Sequence, residues 1–170
     1  MKIGNVVKAL AIVLLVGSCK ESEKLSKVVE DYKKPTEKIV FVYKDGEEFS
    51  QEKLKELIDK LNLKYPEIVY AQAVLESGHF KSKSFSVGNN LFGMKVASIR
   101  PTTNSGEYLK HAKYSSWEQS VYDYALYQST FVFKIKSKKD YYQYLKNNYA
   151  GDPTYVEKLK SIVSKEELSV

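Results

Sequence analysis

The sequence contains few of the residues that build metal centres and covalent cross-links. It has one cysteine, Cys19, and 2 histidines among 170 residues. A single cysteine excludes an intrachain disulfide and a cysteine-rich zinc site, and two histidines are too few for most protein-built transition-metal sites. We therefore predict that this chain uses no metal and no cofactor.

Arginine is also scarce, because Arg100 is the one arginine and all the other basic residues are lysines. Specific readout of DNA bases relies on the planar, bidentate guanidinium group, so we predict no nucleic-acid partner. The formal net charge is nevertheless +6. Such a charge suits an anionic lipid surface or cell wall, although a lysine-rich surface that serves only solubility would look the same.

Long apolar runs are missing except near the N-terminus. The run from Ala9 to Val16 follows Lys2 and Lys8, and it is too short to span a membrane, which is typical of a secretory signal. The run ends at Val16-Gly17-Ser18-Cys19, which resembles a bacterial lipobox. That resemblance implies cleavage before Cys19 and attachment of lipid to its thiol; the alternative is an ordinary signal peptide with an incidental cysteine.

The remaining length suits one domain with a packed core, because 43% of the residues are hydrophobic. Loss of the signal would remove two lysines and no acid, which lowers the net charge from +6 to +4. A charged stretch and a short apolar run then precede the domain. We predict four segments: signal peptide 1–18, tether and leading strand 19–46, folded domain 47–164 and tail 165–170.

Apolar spacing of three and four residues predicts helices over most of the domain, with one hairpin between them. Seven of the eight residues from Ile68 to Leu75 are apolar, so this helix should be central and should end at Gly78. Ser116 and Gln119 fit a capping box. The predicted fold is α+β, mainly α-helical, with one small β-hairpin lobe. The predicted helices are 51–63, 66–78, 116–131, 137–148 and 152–163, and the predicted strands are 91–96 and 107–114.

Glu76 interrupts the apolar pattern of the central helix. It continues the line of Val69 and Ala73 at positions i, i+4 and i+7. Apolar neighbours and the negative end of the helix dipole both raise the pKa of a carboxyl, which is how a general acid is made. The alternative is an end-of-helix glutamate that reaches solvent or pairs with Lys81 or Lys83.

Four sequence blocks follow one another along the domain: Ala71–Phe80, Asn89–Lys95, Tyr114–Val121 and Tyr149–Tyr155. In order and spacing they resemble the bacterial glucosaminidase domain of glycoside hydrolase family seventy-three, and the Gly-His-Phe after Glu76 is most similar to Bacteroidota members. The resemblance implies a lysozyme-like domain that cleaves the β-1,4 bond after N-acetylglucosamine in peptidoglycan, with Glu76 as general acid.

The second catalytic group is less clearly marked. Glu107, followed by Tyr108, resembles the hairpin acid of the family, whereas a solvent-facing strand residue is the alternative reading. Retaining, inverting and substrate-assisted mechanisms all stay open. Two other acids are predicted not to be catalytic, because the helix dipole explains Glu118 and solvent explains Asp123.

The resemblance also implies residues that bind the glycan, since sugar rings stack on aromatic faces and bond to phenol tips. Asn90 has an alternative role as a local turn former, and helical packing explains the tyrosines at 141, 142 and 144. His79 is expected to act only in the helix cap. The predicted substrate-binding residues are Asn90, Phe92, Tyr124, Tyr149 and Tyr155.

These features predict a monomeric peptidoglycan hydrolase that is exported and anchored to the membrane through Cys19. Lys20, rather than an aspartate, follows the cysteine, and by analogy this favours the outer membrane. Two other functions stay open. One is a wall-binding lipoprotein without a competent base, and the other is a lytic transglycosylase, although Asn90-Leu91-Phe92-Gly93 favours hydrolysis by analogy.

Overall fold

The structure, a computed structural model, describes residues 46–168. The predicted signal peptide, Cys19 and most of the tether lie outside the described residues, so those predictions stay untested. Between residues 46 and 168 the chain forms six α-helices and two β-strands. They are α1 Gln51–Lys60, α2 Pro66–Glu76, α3 Lys83–Ser86, β1 Gly106–Tyr108, β2 His111–Lys113, α4 Trp117–Tyr127, α5 Lys138–Asn148 and α6 Tyr155–Glu167.

The predicted fold class is confirmed, because helices surround one small antiparallel sheet of β1 and β2. The predicted position of the hairpin is wrong, since both strands form between residues 106 and 113. The stretch 91–96 is not a strand, because the Asn90 side chain bends it. The Asn90 amide donates to the Met94 carbonyl at 2.9 Å and accepts from the Met94 amide at 3.1 Å.

Helix α2 is the central helix, as the sequence predicts. Pro66 begins it and every residue from Ile68 to Val74 is buried, because a helix that is apolar on all sides is stable only inside the molecule. Gly78 ends it in the left-handed conformation, with φ of 59°. The amide of His79 donates to the Val74 carbonyl at 2.8 Å, which completes the expected C-terminal cap.

Several helix ends differ from the predicted ones. Helix α1 ends at Lys60, and α6 continues to Glu167. Ser116 precedes α4 but its side chain makes no capping hydrogen bond, and Gln119 is 4% exposed, so the predicted capping box is wrong. A π-helical turn, Gln128–Val132, follows α4. These ends depend on neighbouring elements, which a local pattern does not describe.

Two apolar clusters cover opposite sides of α2. The first joins α2 to α1, α3 and α4, and the second joins it to α5, α6 and the π-helical turn. The helix is therefore packed on both sides from Ile68 to Val74, and its two ends are less buried. Glu76, the last residue of α2, is half-buried at the C-terminal end.

Candidate active site

The carboxyl group of Glu76 lies between a tyrosine and a glycine from distant parts of the chain. The hydroxyl of Tyr155, the first residue of α6, donates to Oε1 of Glu76 at 2.7 Å. Gly93 faces the other oxygen so closely that a methyl group placed on it would lie 2.9 Å from Oε2. The missing side chain at Gly93 therefore lets the backbone approach the carboxyl group.

The pKa of Glu76 is raised above its ordinary value. Burial is the main cause, while the hydrogen bond from Tyr155 and the charge of His111 act in the opposite direction and only reduce the effect. A desolvated carboxyl holds its proton to a higher pH than an exposed glutamate does. The geometry therefore favours the protonated form of this carboxyl, in the direction that the spacing of α2 indicates.

An unusual turn begins immediately after Glu76. Gly78, His79 and Phe80 all have left-handed backbone conformations, with φ of 59°, 57° and 63°. Ser77 is fully buried, and its hydroxyl accepts a hydrogen bond from the Phe80 amide at 2.9 Å. Left-handed conformations are costly outside glycine and persist where the surroundings enforce them, often at functional sites. Ser77 thus has a structural role in fixing the turn beside the acid.

A buried chain of neutral hydrogen bonds holds Tyr155 in place. The Gln72 amide nitrogen donates to the Tyr155 hydroxyl at 3.2 Å, and the Gln72 oxygen accepts from Tyr124 and, at 3.2 Å, from Tyr141. Gln72 is fully buried on α2, one turn before Glu76. Sequence reasoning missed this residue, although an amide in a helix that is otherwise almost entirely apolar is the signal that could have found it.

Tyr149 supports the glycine side of the same carboxyl. Its hydroxyl donates to the Phe92 carbonyl at 2.7 Å, which fixes the backbone just before Gly93. Its ring stacks on that of Tyr155 with centroids 6.1 Å apart. Two of the three tyrosines predicted to bind the glycan therefore lie together at Glu76, where Tyr155 contacts the acid and Tyr149 contacts the opposing backbone.

The other three predicted substrate-binding residues are fully buried and make internal contacts. Phe92 and Tyr124 stack on each other inside the core, with ring centroids 4.2 Å apart. The amide of Asn90 is used internally, since it also donates to the Ala112 carbonyl at 2.7 Å. The alternative role of Asn90 as a turn former agrees with this structure.

Glu107, the predicted second catalytic residue, lies on the first strand of the hairpin. Glu107 is exposed on β1 and lies opposite Ala112 in the register. Successive residues of a strand point to opposite faces, so Glu107 points away from the face that carries Tyr108 and His111. The charge of His111 is the one that reaches the Glu76 carboxyl.

A buried ion pair attaches the segment before the hairpin to α4. Both amino groups of Arg100 donate to the Asp123 carboxylate at 2.8 Å, and the side chains are 4% and 0% exposed. The Tyr114 hydroxyl also donates to Asp123 at 2.8 Å. Burial alone would raise the pKa of Asp123, but these hydrogen bonds and the positive charge lower it overall. The prediction that Asp123 is solvated is wrong, because its partner is distant in sequence.

Glu118 has a structural contact at the start of α4. Its Oε1 accepts a hydrogen bond from the Glu47 amide at 3.0 Å, while the Trp117 indole donates to the Glu47 carbonyl at 2.9 Å. These two bonds hold the segment that enters α1 against α4. Glu118 is therefore engaged away from Glu76, in accord with its predicted non-catalytic role.

Residues 46–168 contain no group of three histidine, cysteine, aspartate or glutamate side chains arranged to hold a metal ion. Over the same described range, no helix has both the length and the apolar character needed to cross a membrane.

The sequence model of one family, glucosaminidase, described as mannosyl-glycoprotein endo-beta-N-acetylglucosaminidase, matches residues 51–168. The chain belongs to the glucosaminidase family. This match confirms the predicted family and the predicted enzyme class, a glycoside hydrolase. In this glucosaminidase, the matched range includes all six helices and the hairpin, together with Glu76 and both tyrosines that surround it.

A curated relative of this glucosaminidase is the N-acetylmuramoyl-L-alanine amidase domain-containing protein of Staphylococcus aureus (strain NCTC 8325 / PS 47). The two are 32% identical over 129 residues, which cover 62% of this chain and 21% of that protein. The glucosaminidase thus spans about a fifth of its relative's length. Among solved structures, the catalytic domain of the autolysin Auto from Listeria monocytogenes is similar, with a TM-score of 0.48, 23% identity and coverage of 99% of this chain and 97% of that one.

Proposed function

We propose that this glucosaminidase hydrolyses the β-1,4 bond after N-acetylglucosamine in peptidoglycan, with Glu76 as the general acid. The observation that carries the proposal is the half-buried Glu76 carboxyl, whose raised pKa keeps a proton available at the exit of the central helix. Support for the substrate comes from the Staphylococcus aureus relative, whose name refers to N-acetylmuramoyl-L-alanine, a component of peptidoglycan.

The two oxygens of Glu76 have different tasks in this reaction. Oε1 accepts the hydrogen bond from Tyr155, so the proton of the neutral acid is carried by Oε2, the oxygen beside Gly93. Glu76 gives that proton to the glycosidic oxygen as the bond to the anomeric carbon breaks. A water molecule then supplies the hydroxyl group on the anomeric carbon, and its remaining proton goes to a base.

Clearing of purified cell walls by the protein tests the proposal. Wild type and Glu56→Gln, which changes an exposed residue of α1, should clear the wall, and Glu76→Gln should not. Full clearing by Glu76→Gln would remove this residue from the mechanism. No clearing by wild type would favour the wall-binding lipoprotein, and products with anhydro-sugar ends in mass spectrometry would favour the lytic transglycosylase.

We also propose that the protein is exported and held in the cell envelope by lipid on Cys19, with the outer membrane as the favoured site. The support is the lipobox-like sequence before Cys19 and the lysine that follows it. Labelled palmitate should enter the wild-type chain and not Cys19→Ala, and equal labelling of both would contradict the proposal. A single species of monomer mass is expected for the detergent-solubilised protein.

A further inference from the structure

In an inverting hydrolysis, a group other than the general acid accepts the proton of the incoming water. Glu107 and its register partner Ala112 lie on one face of the hairpin, where the Glu107 side chain is exposed to solvent. The opposite face carries Tyr108 and His111, which are paired with each other in the register. Of these two side chains, His111 has a ring nitrogen that can accept a proton.

Strand β2 runs beside the backbone that touches Glu76. The amide of Ala112 donates to the Met94 carbonyl at 2.8 Å, and Gly93, the residue before Met94, lies against the Glu76 carboxyl. His111 is the residue before Ala112, so its backbone lies beside this contact. Its charge lowers the pKa of Glu76, as expected of a ring on the same side of the hairpin.

The His111 ring has a defined orientation and tautomer. Nδ1 lies 2.8 Å from the carbonyl oxygen of Leu109 in the hairpin turn. A carbonyl oxygen only accepts, so Nδ1 carries the hydrogen. In the neutral ring Nε2 is then unprotonated and has a lone pair for a proton. The hairpin turn therefore fixes the imidazole with Nε2 free to accept a proton, as a general base requires.

We propose that His111 is the general base of this glucosaminidase and that its Nε2 accepts the proton of the water that attacks the anomeric carbon. The proposal rests on the proposed hydrolytic function. One water is consumed: its oxygen bonds to the anomeric carbon, one proton goes to His111, and the proton of Glu76 goes to the leaving oxygen. Transfer of the proton from His111 back to Glu76 through solvent restores both groups.

The decisive variant is His111→Asn, because an asparagine amide can still donate to the Leu109 carbonyl but has no nitrogen that can act as the base. We expect kcat on purified peptidoglycan to fall by about 10²-fold or more, the usual contribution of a general base, with little change in KM. His79→Asn is the matched control, since His79 is exposed and asparagine tolerates its left-handed backbone. This control should keep the wild-type kcat.

Addition of imidazole to His111→Ala should restore part of the lost kcat, which a purely structural role would not produce. The proposal is overturned if His111→Asn keeps the wild-type kcat, or if Glu107→Gln loses activity while His111→Asn does not. Those results leave hydrolysis by Glu76 intact, provided that wild type is active. An inactive wild type contradicts the hydrolytic function, and the role of His111 with it.

A titration of the Glu76 carboxyl by NMR tests the geometry without turnover. Because the charge of His111 lowers the pKa of Glu76, that pKa should rise in His111→Asn and stay at the wild-type value in His79→Asn. An unchanged pKa in His111→Asn would show that the imidazole does not face Glu76. That result would overturn the proposal whatever the activity measurements give.

Discussion

Two parts of the molecule are held in place by opposite kinds of contact. One is the helical wall, formed by α2 and α6 around Glu76, and the other is the hairpin lobe, formed by β1, β2 and the segment before them. On the helical wall, Glu76 is fixed by neutral groups, with Tyr155 bonded to it and the buried Gln72 bonded to Tyr155. The hairpin lobe has strands of three residues, and the ion pair between Arg100 and Asp123 anchors the segment before them. One wall therefore relies on uncharged hydrogen bonds, and the other relies on a buried pair of charges.

The difference follows from what each wall has to do. A positive charge bonded to Glu76 would lower its pKa and remove the proton that a general acid needs, so neutral donors suit this wall. The hairpin does not hold Glu76 by a hydrogen bond, so a positive charge in its anchor is acceptable. Its short strands cannot bury much apolar surface. A buried, bidentate ion pair with further hydrogen bonds supplies a directional anchor there. The single arginine of the chain is used for this anchor.

Removal of the acid should have the largest effect on function and no adverse effect on folding. Glu76→Gln should lower the rate by about 10²- to 10⁴-fold. The pKa of Glu76 is raised on folding, so its contribution to stability is present at low pH and is lost as the pH rises through the folded pKa. Glutamine has no such loss, so the free energy of unfolding at neutral pH should equal or exceed that of wild type in urea denaturation.

The hairpin anchor should give the largest change in stability. Asp123→Ala leaves Arg100 buried without its partner and should cost about 3–5 kcal/mol of the free energy of unfolding. The double variant Arg100→Met with Asp123→Leu removes both charges and should recover most of that loss. If urea denaturation gives the double variant the same loss as Asp123→Ala, the unpaired charge is not the cause.

The same pair should make stability depend on acid. The pKa of Asp123 is lowered on folding, so its contribution is present above the unfolded pKa and is lost as the pH falls through the folded one. Wild type should therefore lose more free energy of unfolding on acidification than the double variant does. If the free energy of unfolding of the two proteins changes equally with pH, the ion pair does not have the expected role.

Tyr155→Phe should change the pH dependence of the reaction more than its maximum rate. The hydrogen bond from Tyr155 lowers the pKa of Glu76, so its removal should raise that pKa further. Since the acid must be protonated, activity at high pH should persist to a higher pH than in wild type. The pH at which activity falls on the alkaline side of the pH–rate profile measures this change. If that fall moves to lower pH in Tyr155→Phe, the hydrogen bond from Tyr155 does not lower the pKa of Glu76.

The smallest expected effect is at the tip of the hairpin. Leu109 and Lys110 both adopt left-handed conformations, with φ of 50° and 61°, which asparagine and glycine tolerate better. The double change Leu109→Asn with Lys110→Gly should raise the free energy of unfolding by about 1 kcal/mol. The backbone carbonyl that binds His111 is kept, so activity should not fall. A loss of stability would show that the Leu109 or Lys110 side chain contributes to packing.

The helices and the partly buried carboxyl of Glu76 were predictable because their signals are local. The apolar composition of α2 and the left-handed glycine that ends it are both visible within a dozen residues, and the line from Val69 to Glu76 marks the carboxyl. The hairpin was displaced because the side chain of Asn90 bends the stretch that looked like its first strand. Neither the alternation of apolar and polar residues nor the composition shows that one side-chain amide will bind backbone groups that would otherwise pair with a neighbouring strand.

The site was only half predictable for a similar reason. Phe92 and Tyr124 match family positions, but only the packed structure shows that they stack inside the core. Asp123 looked solvated because its partner, Arg100, is 23 residues away. Contacts over such separations depend on how helices and loops pack, and residue spacing does not encode that packing.

The amino-acid sequence by itself determined the family, the central helix and the candidate acid, because these depend on residue order and on helical periodicity. The tertiary structure decided what surrounds that acid. It brought Tyr155 from α6 and Gly93 from a distant loop to the two oxygens of Glu76, and it set Glu107 and His111 on opposite faces of the hairpin. Desolvation and hydrogen bonding act through space, so the protonation of Glu76 is a property of the folded chain.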